Sequence, residues 1–269
     1  MAPQARLTQI WVYPIKSLDG SRRAECPLVP GGGLEGDRRW AMVDDDDRLV
    51  NGKRTSAVHR VRASFSWNPL QVTLACRESA GASPIGSRRF ALPQQRQSCQ
   101  LWLSEAMGIP VRLQSSQPVG WPDDMAAPGP TLVSWATLKR VAQWFPPATP
   151  EEMRARFRPN LVIDGVPPFW EDGLLGETDE PGTFRIGSVV FQAVNPCRRC
   201  VVPTRDPETA RADLDFMRRF MQLREAELPS WAPRSRFDHF YRLTLNTRWM
   251  GAEEAAIREG MLLRPSRRP

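Results

Sequence analysis

The sequence predicts an α+β fold, mainly β with some α, in which short strands form a β-barrel or curved sheet with a few packed helices. Two observations support this. Short apolar or alternating runs bounded by turn residues recur along the chain, and only two segments have the 3.6-residue periodicity of an amphipathic helix. Since strands and helices do not alternate as βαβ units, a barrel or curved sheet is favoured over a doubly wound sheet.

Seven segments carry the strand signal, because they are rich in aliphatic, β-branched and aromatic residues and end at turn-forming residues. The predicted strands are residues 7–15, 38–44, 49–51, 70–76, 160–164, 184–194 and 241–246. The run from Asp44 to Asp47 is expected at a hairpin tip, where its carboxylates are solvated. A divalent-cation site at this tip is the weaker alternative.

Two helices are predicted in the second half of the chain. Ser134 is an N-cap for the first, whose apolar face runs from Leu138 to Phe145 and which ends at Pro146-Pro147. The second follows Asp213 and presents apolar residues at positions 216, 217, 220, 221 and 223. Met and Phe at this spacing indicate packing in a core.

The 269 residues can form one large domain or two smaller ones. The stretch WPDDMAAPGP is rich in Pro, Asp and Gly and is the expected boundary, with an N-terminal domain over residues 1–120 and a second domain over 121–269. A low-complexity stretch, ESAGASPIGSRR at residues 78–89, is expected as an exposed loop.

The composition is that of an ordinary globular protein, with 41% hydrophobic and 25% charged residues. No run approaches the roughly 20 apolar residues that cross a bilayer, and the first residues lack a secretory pattern. We therefore expect a soluble, cytoplasmic protein without a membrane partner. Five irregularly spaced cysteines predict reduced thiols.

The chain is basic, with a net charge of +7 and a pI near 9.7. Such a charge suits an acidic partner. The basic residues are dispersed, and no basic run is interleaved with aromatic residues that would stack on bases. A nucleic-acid partner is therefore disfavoured.

The motif NPCRRCVVPTRDPET places Cys197 and Cys200 beside Arg198 and Arg199. Nearby positive charge stabilises a thiolate, the form that attacks electrophiles and binds soft metals. An apolar run precedes the motif, and Pro196 is expected to end that strand. The cysteines are therefore expected at a strand end, where loops commonly carry function.

Three chemistries compete for this cysteine pair. A structural zinc site needs four ligands, but the other cysteines and the histidines are isolated. A dithiol redox pair is expected to open a helix, which the following VVP disfavours. In the third chemistry, one cysteine is a single ligand to a cofactor that brings its own sulfur, and arginines bind the anionic groups of that cofactor. The abundance of Arg and the scarcity of His in the chain favour this third chemistry. The isolated residues are Cys26, Cys76, Cys99, His59 and His239.

Six segments, in this order, are similar to one known family. They are YPIKS (13–17), GDRRWAMVD (36–44), TLVSWATL (131–138), RFRPNLVIDG (156–165), FRIGSVVF (184–191) and NPCRRCVVPTRDPET (195–209). Together they resemble the MOSC family, specifically members with an N-terminal MOSC β-barrel region before a MOSC domain, such as the mitochondrial amidoxime-reducing component and its bacterial relatives.

The resemblance implies a molybdenum cofactor, in which molybdenum is held by molybdopterin. Cys200 corresponds to the protein thiolate on molybdenum, and the other sulfurs come from the pterin; a soft thiolate suits this metal site. Arg198 and Arg199 flank the metal. Asp206 is a candidate for proton delivery, and a structural role in an Asp-Pro turn is the equally good alternative.

Six further positions match cofactor-binding residues of the family. Lys supplies a point charge and Arg a bidentate fork for phosphate, a serine at a helix N-terminus favours anions, and an asparagine both donates and accepts, as a pterin edge requires. Singly, each has an ordinary alternative as a surface charge, a helix cap or a partner of local backbone. The positions are Lys16, Ser17, Arg38, Ser134, Arg158 and Asn160.

The resemblance further implies an enzyme that reduces N-hydroxylated compounds, such as amidoximes and hydroxylamino bases, to amines. The chain lacks iron–sulfur, flavin and nicotinamide fingerprints, so an external ferredoxin, flavoprotein or cytochrome would supply electrons. The alternative within the family is a sulfur carrier that holds persulfide on a cysteine for cofactor maturation. A basic nucleic-acid-binding protein is the third hypothesis, with affinity that falls steeply with salt.

Two features depart from the family pattern. Ala210 stands where the family usually has glycine, which is expected to alter the loop that leads away from the metal. The insertion-like stretch at residues 166–182 is expected to shape the substrate mouth.

Overall fold

The computed structural model describes residues 4–76, 85–118, 120–177, 181–251 and 254–266. These residues form fifteen β-strands and four α-helices, which confirms the predicted mixed fold with a majority of strands. The loop predicted at 78–89 lies outside the described residues except for its last five, and Arg88 and Arg89 of these begin a strand.

The strands are β1 Arg6–Val12, β2 Ser21–Arg23, β3 Glu25–Leu28, β4 Trp40–Val43, β5 Val61–Ser66, β6 Gln71–Cys76, β7 Arg88–Ala91, β8 Arg112–Ser115, β9 Leu132–Ser134, β10 Leu161–Asp164, β11 Gly182–Ile186, β12 Val189–Arg198, β13 Arg242–Trp249, β14 Ala255–Arg258 and β15 Leu263–Pro265. The helices are α1 Arg96–Met107, α2 Trp135–Trp144, α3 Pro150–Phe157 and α4 Phe216–Ala226.

The chain divides into two compact units. The first comprises Met1–Trp11, Arg22–Glu35 and Pro122–Pro269, and the second comprises Val12–Ser21 and Gly36–Trp121. The second unit contains the antiparallel sheet β5-β6-β7, the antiparallel pair β4-β8 and helix α1. Apolar residues from these elements form its buried core.

The first unit is built on an eight-stranded sheet in the order β15-β11-β12-β13-β9-β10-β1-β2. From β15 to β1 its neighbours are antiparallel, except for the parallel pair of β9 and β10. The described strands do not close into a fully paired barrel. An antiparallel bridge between Arg6 and Leu262 nevertheless joins β1 to the residue before β15.

An aromatic cluster packs α2, α3 and α4 together in the first unit. The ring of Phe220 lies 5.5 Å from that of Phe157, 5.5 Å from that of Tyr241 and 5.4 Å from that of Trp144. Each fully buried ring of this kind stabilises the fold by about 1.5–3 kcal/mol. The cluster therefore fixes the end of α3 and the residue before β13, both of which carry the candidate site.

Three predictions about the strands need correction. Residues 184–194 form the hairpin of β11 and β12, and Gly187 in its turn has φ +60°. Pro196 does not end the strand, because β12 continues to Arg198. The ladder with β13 shifts register on both sides of Pro196, so a residue without an N–H is tolerated there. In the predicted segment 49–51, only Leu49 forms a bridge, to Val43 across the acidic tip.

Both predicted helices are present as α2 and α4, and Ser134 caps α2 by accepting the Thr137 N–H at 3.0 Å. Helices α1 and α3 were not predicted. Helix α1 has no side-chain cap at its start, whereas α3 has readable signals in the Thr149 cap and Pro150 in its first turn. No helix in the described ranges is long and apolar enough to cross a membrane.

Candidate functional site

The cysteine pair stands at the end of β12 in the first unit. Cys197 lies within the strand, whereas Cys200 follows it by two residues and is half-buried. Arg198 is exposed and pairs with Arg242 of β13. The thiol of Cys200 is thus partly open to solvent on a rigid scaffold.

A bulge in β13 faces Cys197. Pro196 pairs with Leu245 and Arg198 with Arg242, so two residues of β13 oppose the single residue Cys197. One of the two, Thr244, has φ +68°, a rare backbone conformation for a β-branched residue. Such strained positions concentrate at functional sites.

Three contacts fix the side chain of Arg199. Its Nη1 donates to Sγ of Cys197 at 3.1 Å, its Nη2 donates to the carbonyl oxygen of Phe157 at 2.7 Å, and its guanidinium carbon lies 5.4 Å from the Phe157 ring centroid. Its backbone N–H donates to the carbonyl of Tyr241 at 3.0 Å. The arginine therefore joins the cysteine motif to the end of α3 and to the residue that precedes β13.

The last turn of α3 is bound to the segment after Cys200. Arg156 is buried, and its Nη1 donates to the Pro203 carbonyl at 2.9 Å. Arg158 is the C-cap with φ +52°, and its N–H donates to the carbonyl oxygen of Arg154. Arg158 directly follows Phe157, whose carbonyl oxygen accepts from Arg199.

Asp206 forms a tight turn. Its Oδ1 accepts from the N–H groups of Glu208 (2.8 Å) and Thr209 (2.6 Å) and from the Thr209 hydroxyl (2.9 Å), and its Oδ2 lies 3.7 Å from Arg156. Burial raises the pKa of Asp206, but these bonds and the Arg156 charge outweigh it and hold the pKa below its ordinary value. This geometry gives Asp206 a structural role, and proton delivery by it stays a prediction.

Ser134 and Asn160 lie at different levels of the parallel pair of β9 and β10. Ser134 is fully buried opposite Ile163, and its hydroxyl caps α2. Asn160 accepts from the N–H of Thr131 at 3.1 Å and donates to the Trp11 carbonyl at 3.0 Å. At about 3.3 Å per residue, three residues of β9 separate the two levels by roughly 10 Å.

The other three predicted positions belong to the second unit. Lys16 is buried, and its Nζ donates to the Trp121 carbonyl at 2.8 Å. Ser17 and Arg38 have φ +75° and +47°. Arg38 forms an ion pair with the adjacent Asp37 and lies 5.4 Å from the Tyr13 ring centroid.

Predicted and unpredicted residues meet in the first unit. The structure brings Arg199 and Cys200 together with the end of α3, and Phe157 and Tyr241 are the residues that the prediction missed. Phe157 lies inside the RFRPNLVIDG segment, in which its neighbours Arg158 and Asn160 were predicted to bind the cofactor. Tyr241 had only a strand signal, because its position beside Arg199 depends on long-range pairing.

Two buried hydrogen-bond donors show that an anionic cofactor fits these residues. Nε of Arg199 and Oη of Tyr241 are buried and have no hydrogen-bond partner within the described part of the chain. Buried donors of this kind are rare in native proteins unless a ligand or water pairs with them. Together with a half-buried cysteine, they suit an anionic cofactor whose metal a thiolate ligates. Within the described ranges, no three His, Cys, Asp or Glu residues converge on a metal site.

Comparison with known proteins identifies the class. Residues 4–111 match the family described as "MOSC N-terminal beta barrel domain", and residues 131–260 match the "MOSC domain". The chain belongs to the MOSC family, with the N-terminal β-barrel region and the MOSC domain in the order that the sequence resemblance predicted.

Relatives with two different names are similar to this chain. Molybdenum cofactor sulfurase of Danio rerio is 24% identical over 263 residues, which cover 82% of this chain and 31% of that protein. Mitochondrial amidoxime reducing component 2 of Bos taurus is 24% identical over 237 residues, covering 77% and 68%. The chain thus spans about a third of the sulfurase and about two thirds of the second relative. The YUAD protein from Bacillus subtilis, a solved structure, is 10% identical with a TM-score of 0.39 and coverages of 97% and 94%.

Proposed function

We propose that this protein is a molybdenum-cofactor oxidoreductase that reduces N-hydroxylated compounds, such as amidoximes and hydroxylamino bases, to amines. The observation that carries the proposal is the half-buried Cys200, which directly follows an arginine held by Cys197 and Phe157. The name of the amidoxime-reducing relative supports the substrate class.

In this proposal the residues have distinct tasks. Cys200 supplies the thiolate ligand to molybdenum, with Arg198 and Arg199 beside it. Phosphate and pterin contacts belong to a second set of residues, namely Lys16, Ser17, Arg38, Ser134, Arg158 and Asn160. Asp206, ionised and hydrogen-bonded, keeps the segment after Cys200 in place.

The bound cofactor would supply the two-electron reduction of the N–O bond. The chain's own contribution is to hold the cofactor and to leave Cys200 partly accessible from solvent. Electrons come from an external ferredoxin, flavoprotein or cytochrome in the cytoplasm, and the net charge of +7 suits an acidic donor.

The proposal is tested by the metal and pterin content of protein made in a host that synthesises the cofactor. Wild type, Cys200→Ala and the matched control Cys197→Ala are compared. We expect near-stoichiometric molybdenum and pterin in wild type and Cys197→Ala and little in Cys200→Ala, together with loss of amidoxime reduction. Wild type without metal and pterin would contradict the proposal.

A sulfur-carrier function is the second candidate, since a molybdenum cofactor sulfurase matches 82% of this chain. Here Cys200 would hold persulfide, and the chain would bind no molybdenum. Cyanide-releasable sulfur measured in the same three proteins separates the two functions. One sulfur per chain in wild type and none in Cys200→Ala, without molybdenum, would support the carrier.

A further inference from the structure

Two buried hydrogen-bond donors near Cys200 have no acceptor among the residues that the structure describes. Tyr241 is only 3% exposed, and its hydroxyl has no partner in the segments that the structure describes. The same holds for Nε of Arg199. Leaving a buried donor unpaired destabilises the fold. Two such donors on residues that are neighbours in space therefore indicate a ligand.

A backbone hydrogen bond and three aromatic rings hold the two donor residues side by side. The Arg199 N–H donates to the Tyr241 carbonyl at 3.0 Å, which joins the two residues directly. The Tyr241 ring packs edge-on against Phe220, which lies 5.5 Å from Phe157. The Arg199 guanidinium lies over the Phe157 ring. An apolar wall thus backs the pair and strengthens its electrostatic interactions.

Neither donor needs to rearrange in order to bind. The two Nη atoms of Arg199 are held by Cys197 and the Phe157 carbonyl, so Nε keeps a fixed orientation. Burial raises the pKa of Tyr241, with Arg199 acting against the shift and Cys200 adding to it. The hydroxyl therefore remains a donor at neutral pH.

We propose that Nε–H of Arg199 and O–H of Tyr241 form a two-donor subsite for an oxygen atom of an anion bound beside Cys200. The ligand class is a compact oxyanion, which would enter from solvent past the half-buried cysteine. Tyr241 is thus a ligand-binding residue of the site. The inference does not depend on the reductase proposal, because a carrier of sulfur would present the same two donors.

The test uses cofactor-free full-length protein and inorganic phosphate as the probe. Alkylation of Cys200 by iodoacetamide is followed by mass spectrometry at one pH and constant ionic strength, over a series of phosphate concentrations. Trypsin cleaves at both Arg198 and Arg199, so Cys200 is read in the peptide CVVPTR, separately from Cys197. The phosphate concentration that halves the rate gives the apparent affinity.

We expect phosphate to protect Cys200 in wild type and Tyr241→Phe to weaken this protection about tenfold, as loss of one hydrogen bond to a charged ligand predicts. The chain has two tyrosines, so Tyr13→Phe is a matched control and should stay within about twofold of wild type. Equal affinities in wild type and Tyr241→Phe would overturn the subsite. So would a wild-type protein that phosphate does not protect, or an equal loss in Tyr13→Phe.

Discussion

Nη1 of Arg199 lies 3.1 Å from Sγ of Cys197, and Nη2 of the same guanidinium donates to the Phe157 carbonyl at 2.7 Å. The first cysteine of the motif, half-buried like Cys200, therefore has a defined partner. Arg199 can make both contacts only because a guanidinium is planar and carries several donors.

Arg199→Lys should destabilise the protein by about 1–3 kcal/mol, since an ammonium cannot reach both acceptors and leaves one unpaired. Urea unfolding at pH 7 measures this loss. Arg198→Lys is the matched control, because Arg198 is exposed, and should change the free energy of unfolding by less than about 0.5 kcal/mol. Equal effects of the two substitutions would show that the Arg199 contacts contribute little.

Ala210→Gly should raise the stability by about 0.5–1 kcal/mol. Ala210 has φ +63°, a conformation that costs an L-residue about 1–2 kcal/mol and glycine almost nothing. The greater freedom of unfolded glycine offsets part of this gain. Ala136→Gly within α2 is the control and should lower stability by about 0.5–1 kcal/mol. A lower melting temperature for Ala210→Gly would refute the strain argument.

Glu171 should make stability depend on pH. It is buried, its carboxylate oxygens have no hydrogen-bond partner of normal geometry among the described residues, and burial followed by the Asp172 charge raises its pKa from 4.5 to about 7. Weaker polar interactions with Thr137 and Ser134 oppose this shift. The folded chain therefore holds the proton more tightly than the unfolded chain.

The sign follows from this difference in proton binding. The stabilising effect of protonated Glu171 is complete below pH 4.5 and is lost as the pH rises to about 7, by about 3 kcal/mol in all. Glu171→Gln removes the titrating group. Between pH 4 and pH 8, the free energy of unfolding of wild type should therefore fall relative to that of Glu171→Gln as the pH rises. Parallel curves would contradict a buried, titrating Glu171.

Arg224→Met should destabilise the first unit by about 3–5 kcal/mol, because it leaves the buried Asp172 carboxylate without its partner. Arg224 is 1% exposed, forms an ion pair with Asp172 and lies 4.4 Å from the Phe169 ring centroid. The double variant Arg224→Met, Asp172→Leu removes both charges and should recover much of the loss. If the two substitutions were additive in urea unfolding, the ion pair would not couple them.

Local patterns predicted the elements whose signals are local. Ser134 as a cap and the apolar faces of α2 and α4 could be read directly, as could the strand that begins at Leu161. The bulge opposite Cys197 could not be read, because it arises from the register between β12 and β13. Pro196 was misleading for the same reason: a proline ends a regular ladder, but the ladder here is already shifted on both sides of it.

The candidate site was predictable as far as sequence neighbours could indicate it. The arginines beside Cys200 were visible in the motif, whereas the Tyr241 hydroxyl enters the site through the pairing of distant strands. The predicted roles of Lys16, Ser17 and Arg38 stay predictions, as do those of Ser134, Arg158 and Asn160.

The pairing of Leu7 in β1 with Ile163 in β10 determines the order in which the chain can fold during synthesis. A ribosome completes all of Val12–Ser21 and Gly36–Trp121 before it makes Ile163. The local hairpins β5-β6-β7 can therefore form while β1 has β2 beside it and still lacks β10. Until β10 is made, one edge of β1 stays unpaired on the nascent chain, and an unpaired strand edge of this kind is prone to aggregation.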